Sequence, residues 1–126
     1  MSSKIWEDRP LSNQEIELVR LLLENGVEGA ESFLPQIDKL HVVSRCGCGC
    51  ASVDFQADGV APNWKSGLHV LSDYCWGTGN TDLCGIFVFE RDGKLAGLEV
   101  WSIDGSVTPS ELPNISDLRA FPETSH

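Results

Sequence analysis

The hydrophobic residues in the first part of the chain recur at helical spacing, in the set Ile16, Leu18, Val19, Leu22 and Leu23. Ser12 and Glu15 occupy the two positions of a capping box, in which the serine side chain bonds forward and the glutamate side chain bonds back. Asn25-Gly26 supplies a stop signal, because glycine readily adopts the left-handed conformation that follows a helix. The pattern therefore predicts a helix over residues 13–24.

The segment that follows predicts a second, shorter helix over residues 27–34. Pro35 disfavours helical geometry at the preceding residue, so the helix either ends there or continues with a kink to Ile37. From Leu40 onward the apolar period changes to two, which is typical of half-buried strands. The predicted strands cover about 40–46, 50–57, 68–74, 84–91 and 95–103.

Asp92-Gly93 joins the last two predicted strands, and this dipeptide favours a type I′ hairpin turn. The turn predicts that Arg91 lies opposite Lys94, and the same register pairs Phe89 with Ala96. One face of this hairpin is expected to meet the helices, and it carries Phe87, Phe89, Ala96, Leu98 and Val100. The opposite face is expected to carry Cys84, Ile86, Val88, Glu90, Glu99 and Trp101.

Together these elements predict a single α+β domain over residues 1–126. Two N-terminal helices are expected to pack on one face of a mainly antiparallel sheet of four or five strands. Residues 1–10 are expected to form a flexible tail, and residues 106–126 an irregular C-terminal tail. A chain of 126 residues is long enough for one hydrophobic core.

The chain is acidic, with a formal net charge of −10 from 19 Asp and Glu against 9 Lys and Arg. This charge argues against nucleic acid and anionic membranes as partners, because both would repel the protein surface. It suits a basic protein partner, or it serves solubility alone. The N-terminus has no apolar signal segment, so the sequence predicts a cytoplasmic protein whose five cysteines are thiols or ligands rather than disulfides.

Cys46, Cys48 and Cys50 alternate with glycines. If residues 47–49 form a three-residue turn, Cys46 faces Cys50, and the register pairs Val43 with Val53. The same register pairs His41 with Phe55, and it assigns Val53 and Phe55 to the core.

Thiolates are soft metal ligands and redox nucleophiles, so Cys46, Cys48 and Cys50 form a candidate site for Zn or Cu(I) or for thiol redox chemistry. A fourth metal ligand would come from Cys75, Cys84, His41 or His69. However, zinc knuckles have two to four residues between cysteines, and here each gap is a single glycine. The alternative is that the sulfurs pack as small hydrophobic groups.

The cysteine segment resembles part of a group of small uncharacterised bacterial proteins that carry a Cys-x-Cys-Gly-Cys-x-Ser-Val-Asp core. The resemblance lies in the run Arg45-Cys46-Gly47-Cys48-Gly49-Cys50-Ala51-Ser52-Val53-Asp54-Phe55. Those proteins often have Pro where this chain has Ala51. The resemblance implies a shared fold over the strand region and brings no known activity with it.

A second candidate site follows if the two hairpins lie in one sheet. Its members would share the face away from the helices with Cys50, and they are Ser52, Asp54, Cys84, Glu99 and Trp101. Two carboxylates beside thiols and an indole could form a small-ligand pocket and shift each other's pKa. The alternative is a solvated sheet face.

The sequence therefore predicts a non-catalytic binding module that works through its acidic exterior or through the mixed sheet face. The alternative is a metal-binding or thiol-redox protein that uses Cys46, Cys48 and Cys50. An enzyme is the least favoured class, because no nucleophile, base and orienting group can be assembled from the sequence.

Overall fold

The computed structural model describes residues 4–47, 49–60, 63, 65–77, 83–103, 105 and 108–120. Seven strands in these ranges form one sheet: β1 Lys4–Pro10, β2 Leu40–Cys46, β3 Val53–Ala57, β4 His69–Trp76, β5 Cys84–Arg91, β6 Lys94–Ser102 and β7 Arg119–Ala120. Their order is β1-β2-β3-β6-β5-β4-β7, and every neighbouring pair is antiparallel. The α+β class and the antiparallel sheet are confirmed, whereas the expected count of four or five strands is too low.

The two additional strands lie at the edges of the sheet. β1 falls within the segment that was expected to be a flexible tail, and it places Trp6 opposite Ser44 and Arg9 opposite Val42. At the other edge, the two-residue strand β7 pairs with β4, and a 3₁₀ turn at Ile115–Asp117 precedes it. The described part of the predicted C-terminal tail is therefore not wholly irregular.

The first predicted helix is confirmed as α1, Asn13–Glu24. The Ser12 hydroxyl accepts a hydrogen bond from the Glu15 amide at 3.1 Å, and the Glu15 carboxylate accepts one from the Ser12 amide at 2.8 Å. This reciprocal pair satisfies two amides that the first turn of a helix leaves without partners. The apolar stripe of α1 is buried against the sheet through Leu18, Val19, Leu22 and Leu23.

The second predicted helix is present but differs in type and bounds. A 3₁₀ helix spans Ala30–Lys39 and passes through Pro35. The Val27 amide donates to the Leu71 carbonyl of β4 at 2.9 Å, which ties the segment after α1 to the sheet. Gly29 then adopts a left-handed conformation with φ of 91°, which redirects the chain before the 3₁₀ helix begins.

The hairpin of β5 and β6 has the predicted turn but not the predicted register. Asp92 and Gly93 have φ of 54° and 81°, as a type I′ turn requires, and Arg91 lies opposite Lys94. Beyond Glu90, however, Ala96 is an extra residue, so Phe89 pairs with Gly97 instead.

This bulge reverses the facing of β5, because one extra residue shifts the alternation of side chains. Ile86 and Val88, which pair with Val100 and Leu98, belong to the core and meet the helices. Phe87 and Phe89 lie on the opposite face, so the predicted facing of these four β5 residues is wrong. The predicted facing of Leu98, Val100, Glu99 and Trp101 is correct.

The hairpin of β2 and β3 also contains a bulge. Val42 lies opposite Phe55, but Ser44 lies opposite Asp54, so Val43 is the extra residue. The Cys46 amide donates to the Ser52 carbonyl at 3.2 Å, so the connection spans residues 47–51 and Cys46 does not face Cys50. The predicted pairing is therefore wrong, although Val53 and Phe55 are core residues as predicted.

The two faces of the sheet differ in their cover. α1 packs against β4 and β5, and the 3₁₀ helix packs against β3 and β6. We call this side the helix face and the opposite side the outer face. Among the described residues, no helix is both long enough and apolar enough to cross a membrane.

Candidate functional site

A groove of about 1090 Å³ lies over β1, β2 and β3. Five of its lining residues are acidic, namely Glu7, Asp8, Asp38, Asp54 and Asp58. Two are lysines, Lys4 and Lys39, and His41 is the third basic residue. We call this the acidic groove. Acidic side chains outnumber basic side chains in the groove, as they do in the chain as a whole.

Three of these carboxylates have basic neighbours inside the groove. Lys39 lies 3.6 Å from Asp58, and the His41 ring nitrogen lies 3.2 Å from Asp8. The Asp8 and Asp58 side chains are nevertheless 88% and 62% exposed. Exposed pairs of this kind are weak, so both carboxylates remain accessible to a positively charged partner.

Asp54 is the least exposed of these paired carboxylates, at 13% of its side chain. The Ser44 hydroxyl, which is almost fully buried, donates to the Asp54 carboxylate at 2.7 Å. The same carboxylate oxygen accepts a hydrogen bond from the Lys4 ammonium. Asp54 is therefore held in a fixed orientation with a cation beside it.

Trp6 stands at the edge of the acidic groove with 77% of its surface exposed. Tryptophan is usually among the most buried residues, and exposed aromatic residues often anchor protein partners. The sequence does not indicate Trp6 as part of a site, because residues 1–10 were expected to be a tail. Nothing in the sequence alone places Trp6 in the same groove as Asp54.

The predicted ligand face is only partly assembled. Ser52, Asp54, Glu99 and Trp101 share the outer face, as the pairing of Val53 with Leu98 and the alternation along each strand require. Cys84 does not join them: Gly85, its neighbour, lies against the Trp101 ring, so the Cys84 side chain lies on the helix side. The Ser52 hydroxyl is engaged with the backbone of Val100, which it contacts at 2.9 and 3.1 Å.

Glu99 continues the cluster from the acidic groove toward β6. Burial raises the pKa of its carboxyl, and the nearby Asp54 charge raises it further. A hydrogen bond with Ser52 and the positive charge of Lys4 oppose this increase in pKa. The outer face therefore holds two carboxylates on adjacent strands, and the charge of one, Asp54, raises the pKa of the other, Glu99.

A second charged cluster lies where β1 meets the start of α1. The Arg9 guanidinium donates to both oxygens of the buried Glu15 carboxylate, at 2.9 and 3.0 Å, and to Glu7 at 3.0 Å. The hydrogen bond to Glu15 raises the pKa of Arg9. At Glu7, burial alone would raise the pKa, but hydrogen bonds from Arg45 and Arg9 lower it overall. This cluster anchors α1 to the sheet.

The predicted cysteine site is incompletely described. Cys46 and Cys50 are half-buried, the Cys50 thiol lies 3.5 Å from the Ser52 hydroxyl, and Cys48 lies outside the described residues. Among the described residues, no group of His, Cys, Asp or Glu is arranged to hold a metal ion. The Cys46, Cys48 and Cys50 site stays a prediction.

The proposed fourth metal ligands are too distant from Cys46. Cys84 on β5 and Cys75 on β4 are three and four strands away from β2 in the sheet order, which at about 4.8 Å per strand is about 14 and 19 Å. His41 lies near the opposite end of β2, about 16 Å along the strand at about 3.3 Å per residue. His69 lies on β4 with Cys75, and its ring contacts Glu90 at 2.9 Å.

No family model matches this chain, and no curated protein or solved structure shows significant similarity to it. The resemblance of the cysteine segment to small bacterial proteins therefore stays a prediction. The case for a site depends on the geometry and charge of the acidic groove.

Proposed function

We propose that this protein is a non-catalytic interaction module that binds a basic protein segment in the acidic groove. The observation that carries the proposal is the lining of the groove, which holds five carboxylates against two lysines and one histidine. Glu7 is also paired with Arg9 and Arg45, so the excess of negative charge rests on the other four carboxylates. The net charge of −10 gives the whole molecule the same preference. Charge complementarity of this kind accelerates encounter with a partner of opposite charge and disfavours partners of like charge.

The groove, rather than the free edge of β1, is the expected binding surface. Edge strands can pair with a strand of another protein, but β1 carries the features that prevent this. It ends in Pro10, it begins with Lys4, and its register shifts between Trp6 and Arg9. A partner segment is therefore expected to lie on the outer face and to make side-chain contacts.

The predicted cytoplasmic location belongs to this proposal, because five cysteines in thiol form require a reducing compartment. The described part of the chain offers no specific support for the alternative, a metal or redox function.

A labelled basic peptide tests the proposal. The probe is an acetylated and amidated peptide of alternating glycine with arginine or lysine, and its binding is followed by fluorescence anisotropy. We compare the double variant Asp8→Asn/Asp58→Asn with the matched control Glu24→Gln/Glu28→Gln. Both variants lose two negative charges at exposed positions, but only the first pair lines the groove.

The Asp8→Asn/Asp58→Asn variant is expected to bind the peptide about tenfold more weakly, because two groove carboxylates no longer attract it. A tenfold loss of affinity corresponds to about 1.4 kcal/mol of binding free energy. The control should stay within about twofold, and added salt should weaken all binding through screening. Equal loss of affinity in both variants would indicate attraction to net charge alone and would contradict the proposal. Absence of binding to the basic peptide would also contradict it.

A further inference from the structure

One row of side chains crosses the acidic groove from the edge of the sheet inward. Trp6 on β1 lies opposite Ser44 on β2, and Ser44 lies opposite Asp54 on β3. Adjacent strands are about 4.8 Å apart, so the backbones that carry the indole and the carboxylate are about 10 Å apart. All three residues line the acidic groove, and we call the part of the groove between the Trp6 indole and the Asp54 carboxylate the notch.

On the basis of the proposed function, we propose that this notch binds a single arginine or lysine side chain of the partner, stacked on Trp6 and paired with Asp54. Lys4 occupies the carboxylate in the unbound protein and is displaced on binding. The partner is thereby specified by a cation at one position and not by overall basicity alone.

The Lys4–Asp54 pair supports this inference, because it shows that the notch already accommodates an ammonium group. The Lys4 side chain is 55% exposed, so solvent and an incoming cation can reach its end of the pair. A partner cation at the same Asp54 oxygen would take over the role that Lys4 has in the unbound protein. The Ser44 hydroxyl keeps the Asp54 carboxylate oriented during the exchange.

Trp6 supplies the second part of the recognition. Its largely exposed indole is available to a cation, and tryptophan is the aromatic residue that attracts cations most strongly. A guanidinium group is planar, so it can stack on the indole and still donate hydrogen bonds to a carboxylate. The notch is therefore expected to prefer arginine to lysine.

The test uses two glycine-rich peptides that differ only in one central residue, arginine or the neutral isostere citrulline. Trp6→Ala should weaken binding of the arginine peptide about fivefold, as expected for loss of a cation–π contact. The matched control is Ile5→Ala, which removes a half-exposed residue from the other face of the same strand.

Lys4→Gln should tighten binding of the arginine peptide about threefold, because the competing ammonium is removed. Its control is Arg20→Gln, which makes the same change in net charge on the exposed surface of α1. Amide chemical shifts of the β1 residues in each variant establish that β1 still forms. The citrulline peptide should bind more weakly than the arginine peptide to the unmodified protein. Its affinity should change with neither Trp6→Ala nor Lys4→Gln.

The results separate this inference from the proposed function. If the arginine peptide loses affinity for the Asp8→Asn/Asp58→Asn variant but is unaffected by Trp6→Ala and Lys4→Gln, the notch is overturned and the acidic groove remains the binding surface. If neither peptide binds the unmodified protein but the alternating basic peptide does, the notch is overturned and the acidic groove remains the binding surface. If the alternating basic peptide also fails to bind, both proposals are overturned. A Lys4→Gln variant that matches Arg20→Gln in affinity contradicts the displacement of Lys4.

Discussion

The Phe89 ring occupies the space that a side chain at Gly97 would need on the neighbouring strand, since a Cβ there would lie 2.6 Å from the Phe89 Cζ atom. Trp101 is related to Gly85 in the same way, with its Nε1 atom 2.6 Å from the Cβ position. The two glycines thus admit aromatic rings close to the backbone of β5 and β6. These rings cover one half of the outer face, whereas the other half is the open acidic groove.

Gly97→Ala is expected to destabilise the fold by about 1–3 kcal/mol, the usual cost of overpacking. The added methyl group would clash with Phe89 and with the Val53 carbonyl, which lies 2.8 Å from the Cβ position. Gly67→Ala is the control, because no atom lies within 4 Å of its Cβ position. Urea unfolding measures the free energy of unfolding of both variants. Equal stability of the two variants would refute the close packing at Gly97.

Glu15→Gln is expected to lower the free energy of unfolding by about 2 kcal/mol, since the hydrogen bonds that it weakens involve charged groups. Glu15 is buried and accepts from Arg9 and from the Ser12 amide, so a neutral amide cannot replace it fully. The control is Glu17→Gln, at an exposed position of the same helix. Thermal unfolding of the two variants at neutral pH provides the comparison, and similar melting temperatures would argue against an anchoring role for Glu15.

Glu99→Gln is expected to stabilise the protein at neutral pH and to have little effect in acid. Burial raises the pKa of the folded-state carboxyl above the ordinary value of 4.5, so the folded state binds the proton more tightly than the unfolded state does. Stability contributed by Glu99 is therefore present below pH 4.5 and is lost as the pH rises through the folded-state pKa. Glutamine does not ionise, so the Glu99→Gln variant does not lose this stability as the pH rises.

Urea unfolding of Glu99→Gln across a pH series checks the direction of this effect. The free energy of unfolding of the variant should exceed that of the unmodified protein by an amount that grows as the pH rises. A variant that is less stable at neutral pH would show instead that the ionised carboxylate is favourably held by Lys4 and Ser52.

The cysteines are expected to fall into two reactivity classes after reduction. Cys46 and Cys50 are half-buried, whereas Cys75 and Cys84 are 0% and 4% exposed. In a Cys48→Ser variant, two thiols should react with a disulfide reagent about a hundredfold faster than the other two, which need local opening of the sheet. Four thiols with one common rate would contradict the described burial.

The same reagent tests the predicted metal site in the unmodified protein. If Cys46, Cys48 and Cys50 bind zinc as thiolates, added zinc should slow the fast reaction, and Cys48→Ser should abolish that protection. Unchanged rates with zinc would remove zinc from the metal alternative, and the same assay with Cu(I) tests the other candidate metal.

The elements that could be predicted from sequence are those with local signals. The Ser12 and Glu15 cap, the stop at Asn25-Gly26 and the Asp92-Gly93 turn each act through residues within one turn of chain. The cap and the turn follow the prediction closely, and α1 ends at the predicted stop. The predicted left-handed conformation of Gly26 is wrong, because Gly26 is not among the residues with positive φ and instead packs closely against the Leu71 carbonyl of β4. The five central strands also formed where their alternation placed them, with ends shifted by up to three residues.

The bulges at Val43 and Ala96 could not be predicted in this way. Each leaves composition and alternation almost unchanged, yet it changes which residues of the two paired strands share a face. The facing of Phe87 and Phe89 was therefore wrong, whereas that of Glu99 was right. β1 was missed because its pairing partner, β2, lies far along the chain and residues 4–10 carry no alternating pattern. For the candidate site, this means that Asp54 was predictable and Trp6 was not.

Chemical-shift mapping with the arginine peptide and ¹⁵N-labelled protein tests the central claim most directly. The account predicts that amide shifts concentrate in β1, β2 and β3 around Trp6, Ser44 and Asp54, and that α1 is unaffected. Shifts centred on α1, or spread evenly over all acidic surfaces, would contradict it.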